Sequence, residues 1–147
     1  MLYFDDIDVG FRRHIGSWQV TRSEIVEVAT RWDPQPFHID EAAARASAFG
    51  SLVASSVHVF AICTRLFFDW PERVAVLAML GKDEVRLPNP ARPDDVLHYE
   101  TECVARRQSA SRRDRGVVTL SDRMVNQNGE PVLTQRVTLL VAARPAS

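Results

Sequence analysis

One stretch limits what this chain can fold into more than any other. Between Val57 and Phe68 only His58, Thr64 and Arg65 are polar. Ser55 or Ser56 can cap the start and Pro71 stops the run. The pattern predicts a helix over 55–70, a rod of about 24 Å. A helix apolar nearly all round is expected to be buried nearly all round. It is too short for the run of about 18 or more apolar residues that a membrane span needs. The rest of the chain must therefore wrap it, and in 147 residues the simplest wrapper is a curled sheet.

The second half supplies that sheet. Residues 96–107 alternate, with Leu97, Tyr99, Thr101, Cys103 and Ala105 on one face and His98, Glu100 and Glu102 on the other. Twelve residues at about 3.3 Å each give a strand near 40 Å, well beyond the usual length. Residues 116–126 read as a second long strand and Asn128-Gly129 as a hairpin signal. Residues 133–142 return with Leu133, Val137, Leu139 and Val141 on one face. Two shorter apolar runs, 74–80 and 84–87, are interrupted by Gly81. In the first half, 15–20 reads as a strand. Thr21-Arg22-Ser23-Glu24 has the form of a capping box ahead of a helix over 22–31. Asp33 to His38 reads as an irregular loop, and 40–45 as a short helix capped by Asp40. The expected fold class is α+β: a single domain over 1–147, an antiparallel sheet of long strands wrapped around one buried helix, in a hotdog-like arrangement.

Composition narrows the function. Eighteen basic residues face nineteen acidic ones, for a net charge of −1, which argues against a polyanion binder and so against nucleic acid. The first residues carry acids and lack the basic and apolar regions of a signal peptide. With no expected membrane span, the expected location is the cytoplasm. Two cysteines, Cys63 and Cys103, cannot form a disulfide framework or a four-cysteine metal site, and both read as core thiols. Seventeen of the eighteen basic residues are arginine.

Asp33 and His38 are the first candidates for chemistry. Between them Pro34 and Pro36 fix φ and restrict their neighbours. A loop so stiffened can hold a carboxylate and an imidazole as an acid/base pair. The alternative is that Asp33 caps a turn and His38 sits half-exposed.

Asp33 to Asp40, DPQPFHID, resembles the D-x-N-P-x-H-x-D hydratase motif of the MaoC-like dehydratases and (R)-specific enoyl-CoA hydratases. The resemblance extends to Tyr3–Gly10, to Thr21–Ala29, to Phe49–His58, to Arg86-Leu87-Pro88 and to Arg92-Pro93-Asp94-Asp95, and so covers nearly the whole chain. It implies a hotdog subunit that forms a homodimer around a tunnel for an acyl-CoA thioester. Asp33 and His38 would hold the water that adds across a trans-2-enoyl double bond, giving an (R)-3-hydroxyacyl thioester. A backbone amide at the start of the central helix, that of Ser56, would stabilise the thioester oxygen. No metal or redox cofactor is implied. Gln35 stands where the family motif has asparagine, Ser56 where it has glycine, and Asp94 where its Pro-Gly-Asp turn has glycine.

Gln35, Ser55 and His58 are candidate supporting or substrate-contacting residues. Ser55 also reads as a helix cap, and His58 as a core histidine with a local hydrogen bond. Arg106, Arg107, Arg112, Arg113 and Arg115 cluster at a hairpin, where a solvated loop competes with contact to CoA phosphates. Phe60, Phe67 and Phe68 read as core before tunnel lining. Two other functions fit a hotdog chain: an acyl-CoA thioesterase, or a non-catalytic acyl-thioester-binding subunit. Thioesterases of this fold typically place an acid on the central helix, and none lies between Ser55 and Phe68.

Overall fold

The computed structural model describes residues 1–146. Five strands form one antiparallel sheet: β1 (Arg12–Gln19), β2 (Val76–Arg86), β3 (Val96–Gln108), β4 (Arg115–Val125) and β5 (Pro131–Ala142), in the spatial order β1-β3-β4-β5-β2. Four α-helices lie among them: α1 (Arg22–Trp32), α2 (Pro36–Ile39), α3 (Glu41–Ala46) and α4 (Ser56–Asp69). The inward positions of the sheet, among them Leu97, Tyr99, Met124 and Leu133, close around Val59, Ile62, Cys63 and Leu66 of α4. This is the expected hotdog arrangement.

Local signals place most boundaries. Thr21 caps α1 by accepting from the Glu24 amide at 3.3 Å. Asp40 caps α3 through the Ala43 amide at 2.7 Å, and Ser55 caps α4 through the Val57 amide at 3.2 Å. The β4–β5 turn holds Gly129 at φ +76°, where a Cβ would be strained. Asp94 takes φ +71° in the turn before β3, a conformation aspartate tolerates. Gly116 faces the Phe4 ring so closely that a Cβ there would overlap it.

Six details differ from the sequence expectation. The capping box on α1 is half made, because the Glu24 carboxylate accepts from Trp18 Nε1 at 3.0 Å and leaves the Thr21 amide. The first strand starts earlier than expected, at Arg12. The loop after Asp33 contains a turn of helix, α2, which Pro36 starts at a position that needs no amide donor. The two apolar runs around Gly81 are one strand, β2, bent by register shifts against β5 at three places. A shift between Cys103 and Ala105 takes Ala105 off the inward face.

The last difference concerns α4. It is buried on one side only. Val57 and Phe68 are 42% and 57% exposed, and Phe60 and Phe67 are half-buried. The neighbouring edge strand β2 exposes Leu77, Met79 and Leu80 at 49–57%. The sheet therefore wraps half of the helix, and an apolar band made from α4 and β2 faces outward. No helix is long and apolar enough to cross a membrane among the described residues.

Candidate active site

The Asp33 and His38 side chains meet at the end of α1. Asp33 closes α1, its amide bonded to the Ala29 carbonyl at 2.8 Å. The extended backbone through Gln35 then turns into α2, which carries His38 inward. The His38 amide donates to the Gln35 carbonyl at 2.9 Å. His38 is buried, its Nε2 3.4 Å from Asp33 Oδ2. Its Nδ1 lies 2.6 Å from the Val53 carbonyl oxygen. A carbonyl only accepts, so Nδ1 carries the proton in the neutral ring and Nε2 is left as the acceptor.

Ser55 ties this pair to the central helix. It is fully buried, and its hydroxyl donates to Asp33 Oδ2 at 2.7 Å while accepting from the Val57 amide. One side chain thus caps α4 and fixes the carboxylate. Ser56 follows as the first residue of α4, where a backbone N–H has no intrahelical partner. A cleft of about 290 Å³ brings these parts together, lined by Asp33, His38, Ser56 and Val59 with Phe37 and Phe49 at one side. Leu87 to Ala91 form the opposite wall. That wall is anchored by the Asn89 side chain on the Pro131 carbonyl at 2.9 Å. Arg92 reaches back to Ser51 and the Phe49 carbonyl.

The arrangement offers an imidazole acceptor, a carboxylate and the positive end of a helix around one small volume. Such a site can move a proton and stabilise an oxyanion. Among the described residues no three His, Cys, Asp or Glu side chains are grouped to hold a metal ion.

The other candidates lie elsewhere. The Gln35 side chain is exposed and does not line the cleft; its contribution is the backbone carbonyl that receives the His38 amide. His58 points away from the cleft, toward α1, with Nε2 3.5 Å from Glu24 Oε1. It is a core histidine, but the expected hydrogen bond is not formed at either ring nitrogen. Burial pushes its pKa below the ordinary 6.5, with Glu24 pulling the other way. The arginine cluster sits at the β3–β4 hairpin, at the far end of β3 from the cleft. There Arg106 pairs with Asp8, and Arg112 and Arg115 pair with Asp114. The double role of Ser55 and the Val53 carbonyl were not expected. Their partners lie 22 and 15 residues away in sequence, so no local pattern reports them.

A family model described as MaoC like domain matches residues 12–126, most of the chain. The chain belongs to the MaoC-like dehydratase family. A MaoC-like dehydratase structure from Rhodospirillum rubrum is 39% identical and superposes with a TM-score of 0.91, covering 99% of this chain and 100% of that one. An uncharacterized protein of Bacillus subtilis, YdeM, is 25% identical over 93% of this chain and 96% of its own. The (R)-hydratase from A. caviae involved in PHA biosynthesis shares the fold, with a TM-score of 0.75 over 95% of this chain and 98% of that one, at 21% identity. In this MaoC-like chain Asp33, Phe37 and His38 of the segment 33–40 line the cleft together with residues from α4, β5 and the 87–91 segment.

Proposed function

We propose that this protein is an (R)-specific hydratase/dehydratase that adds water to the double bond of a trans-2-enoyl-CoA or related acyl thioester. The observation that carries the reading is that Asp33, His38 and Ser56, the first residue of α4, line one cleft, with His38 Nε2 3.4 Å from Asp33 Oδ2. Family membership and the shared fold of an (R)-hydratase support it.

The geometry supports the following chemistry. A water held jointly by Asp33 and His38 is oriented by the carboxylate and gives a proton to the free Nε2. Its oxygen bonds to C3 of the substrate as the C2–C3 π pair shifts toward the thioester carbonyl. The negative charge that develops on that oxygen is met by the Ser56 N–H and the α4 dipole. The imidazolium then returns the proton to C2, on the face from which water came, so addition is syn. Ser55 holds Asp33 in place throughout. No electrons leave the substrate, so the reaction needs no redox cofactor.

The exposed band of α4 and β2 supports a homodimer. A free edge strand beside apolar surface is a site for pairing with a second copy. Light scattering after gel filtration is expected to give twice the chain mass, and Leu80→Asp to shift it to the monomer. A monomeric wild type overturns the dimer.

Loss of enoyl-thioester absorbance tests the function. Wild-type protein is expected to bleach it and release no thiol, whereas Asp33→Asn and His38→Gln fold but do not bleach. Thiol release without hydration selects a thioesterase, and thioester binding without turnover selects a binding subunit.

A further inference from the structure

A second cavity, of about 190 Å³, lies beneath the middle of α4. The proposed chemistry does not use it. Its walls are apolar: Phe67 from the helix, and Leu120, Val137 and Leu139 from the sheet. Its floor is not. Thr101 Oγ1 donates to Asp122 Oδ1 at 2.7 Å, and Gln135 Nε2 donates to Asp122 Oδ2 at 3.0 Å. Asp122 and Gln135 are each 3% exposed. Lys82, the only lysine in the chain, reaches in from β2 and donates to Gln135 Oε1 at 3.3 Å, with its ammonium 5.0 Å over the Phe60 ring.

A fold does not need this cluster. Burying a carboxylate and an amide costs free energy that well-packed apolar side chains of similar size would not. Burial raises the Asp122 pKa even against the hydrogen bonds from Gln135 and Thr101. The Lys82 ammonium has three donors. Gln135 takes one of them, and Lys82 lines the open volume.

Position ties the cavity to the cleft. Val59 lines the cleft, and Cys63, one turn further along α4, lines the cavity. On β5, Val132 lines the cleft and Gln135 the cavity, about 10 Å on. An acyl chain whose thioester oxygen sits at Ser56 and which runs along α4 arrives here.

We infer that this cavity is the specificity pocket for the far end of the acyl chain, selecting chains that carry a neutral oxygen there, a hydroxyl or a carbonyl. This rests on the acyl-thioester reading of the cleft. Apolar walls accept the methylene chain, and the free donors of Lys82 meet the oxygen. A terminal carboxylate is disfavoured, because it would also face Asp122.

Calorimetry tests the pocket without turnover. Saturated acyl-CoA thioesters of equal length are compared, ending in a methyl, a hydroxyl or a carboxylate, at several chain lengths. At the length that reaches the floor, the hydroxyl-ended thioester is expected to bind wild type about tenfold tighter than the methyl-ended one, roughly 1.4 kcal/mol. The carboxylate-ended one is expected to bind no better than the methyl-ended one. Lys82→Met, checked for folding by its thermal melt, is expected to bring the hydroxyl preference within about twofold. Equal binding of hydroxyl and methyl ends by wild type at every length overturns the inference, and so does tightest binding of the carboxylate. A hydroxyl preference that survives Lys82→Met and Gln135→Leu also overturns it. If wild type ranks the thioesters as expected but hydrates none, the hydratase reading fails and the pocket stands. If it hydrates methyl- and hydroxyl-ended enoyl thioesters with no binding preference between them, the reverse holds.

Discussion

Two histidines in this chain face carboxylates at almost the same distance. His38 Nε2 is 3.4 Å from Asp33, and His58 Nε2 is 3.5 Å from Glu24. Both rings are buried, and both carboxylates are less than a third exposed. The pairs differ in everything around that contact. His38 has a carbonyl on its other nitrogen, which fixes the tautomer, and its carboxylate is held by Ser55. His58 has no hydrogen bond at either nitrogen, and its carboxylate is held by Trp18 inside a packed region. One pair opens on a cleft beside a helix N-terminus, and the other meets core side chains. A histidine–carboxylate separation thus says little about chemistry. The fixed tautomer, the anchored carboxylate and the open volume distinguish the two.

The comparison breaks most directly at the pair proposed to react. His38→Gln and Asp33→Asn are each expected to lower kcat by about 10²- to 10⁴-fold, the usual contribution of a positioned acid/base group. Thermal melts should show both variants folded. If either retains most of its activity, the two pairs are not functionally different.

Ser55→Ala sharpens the comparison by loosening Asp33 without removing it. The variant loses a helix cap worth about 1 kcal/mol and a hydrogen bond to a carboxylate worth about 1.5–3 kcal/mol. The expected outcome is roughly a tenfold fall in kcat with KM little changed, and a melting temperature lower by a few degrees. Ser55→Thr, which keeps a capping hydroxyl, should recover part of both. A lowered melting temperature with unchanged kcat would reduce Ser55 to a cap.

What the sequence revealed follows how local each signal is. The ends of α1, α3 and α4 depend on capping residues and on prolines within a few positions, and the alternation of β3 to β5 runs along one strand at a time. These were readable. Pro36, which stiffens the loop, is also a local marker of the α2 turn, because proline suits the first helical position. Glu24 shows a local rule losing to a tertiary one: its carboxylate serves Trp18, six residues away across a strand end, instead of completing the box with Thr21. The half-exposure of α4 was not readable, because periodicity cannot separate a core face from a face that a second copy would cover. In the site, the motif located Asp33 and His38. The Ser55–Asp33 bond and the different fates of Gln35 and His58 depend on how distant segments dock. The polar floor under α4 left a trace in the sequence. Asp122 falls on the inward alternation of β4 with Val118, Leu120 and Met124, a charge in an apolar row.

The smallest expected effect concerns the pair outside the cleft. Burial depresses the pKa of His58 below 6.5, and Glu24 offsets this only in part. As pH falls through the ordinary histidine range, the unfolded chain takes up a proton at this residue before the folded chain does. Stability is therefore full above about pH 6.5 and is lost as pH falls below it. His58→Leu removes the group that titrates and the two ring nitrogens that lack partners. Melting temperatures measured from pH 7 to pH 5 should fall less steeply for this variant than for wild type, with equal or higher stability at pH 7. Hydratase activity at pH 7 should stay within a few-fold of wild type. A parallel pH slope in the two proteins would show that Glu24 offsets the burial completely. A large loss of activity would show that His58 shapes the cleft through α4, and the two histidine regions could no longer be treated as independent.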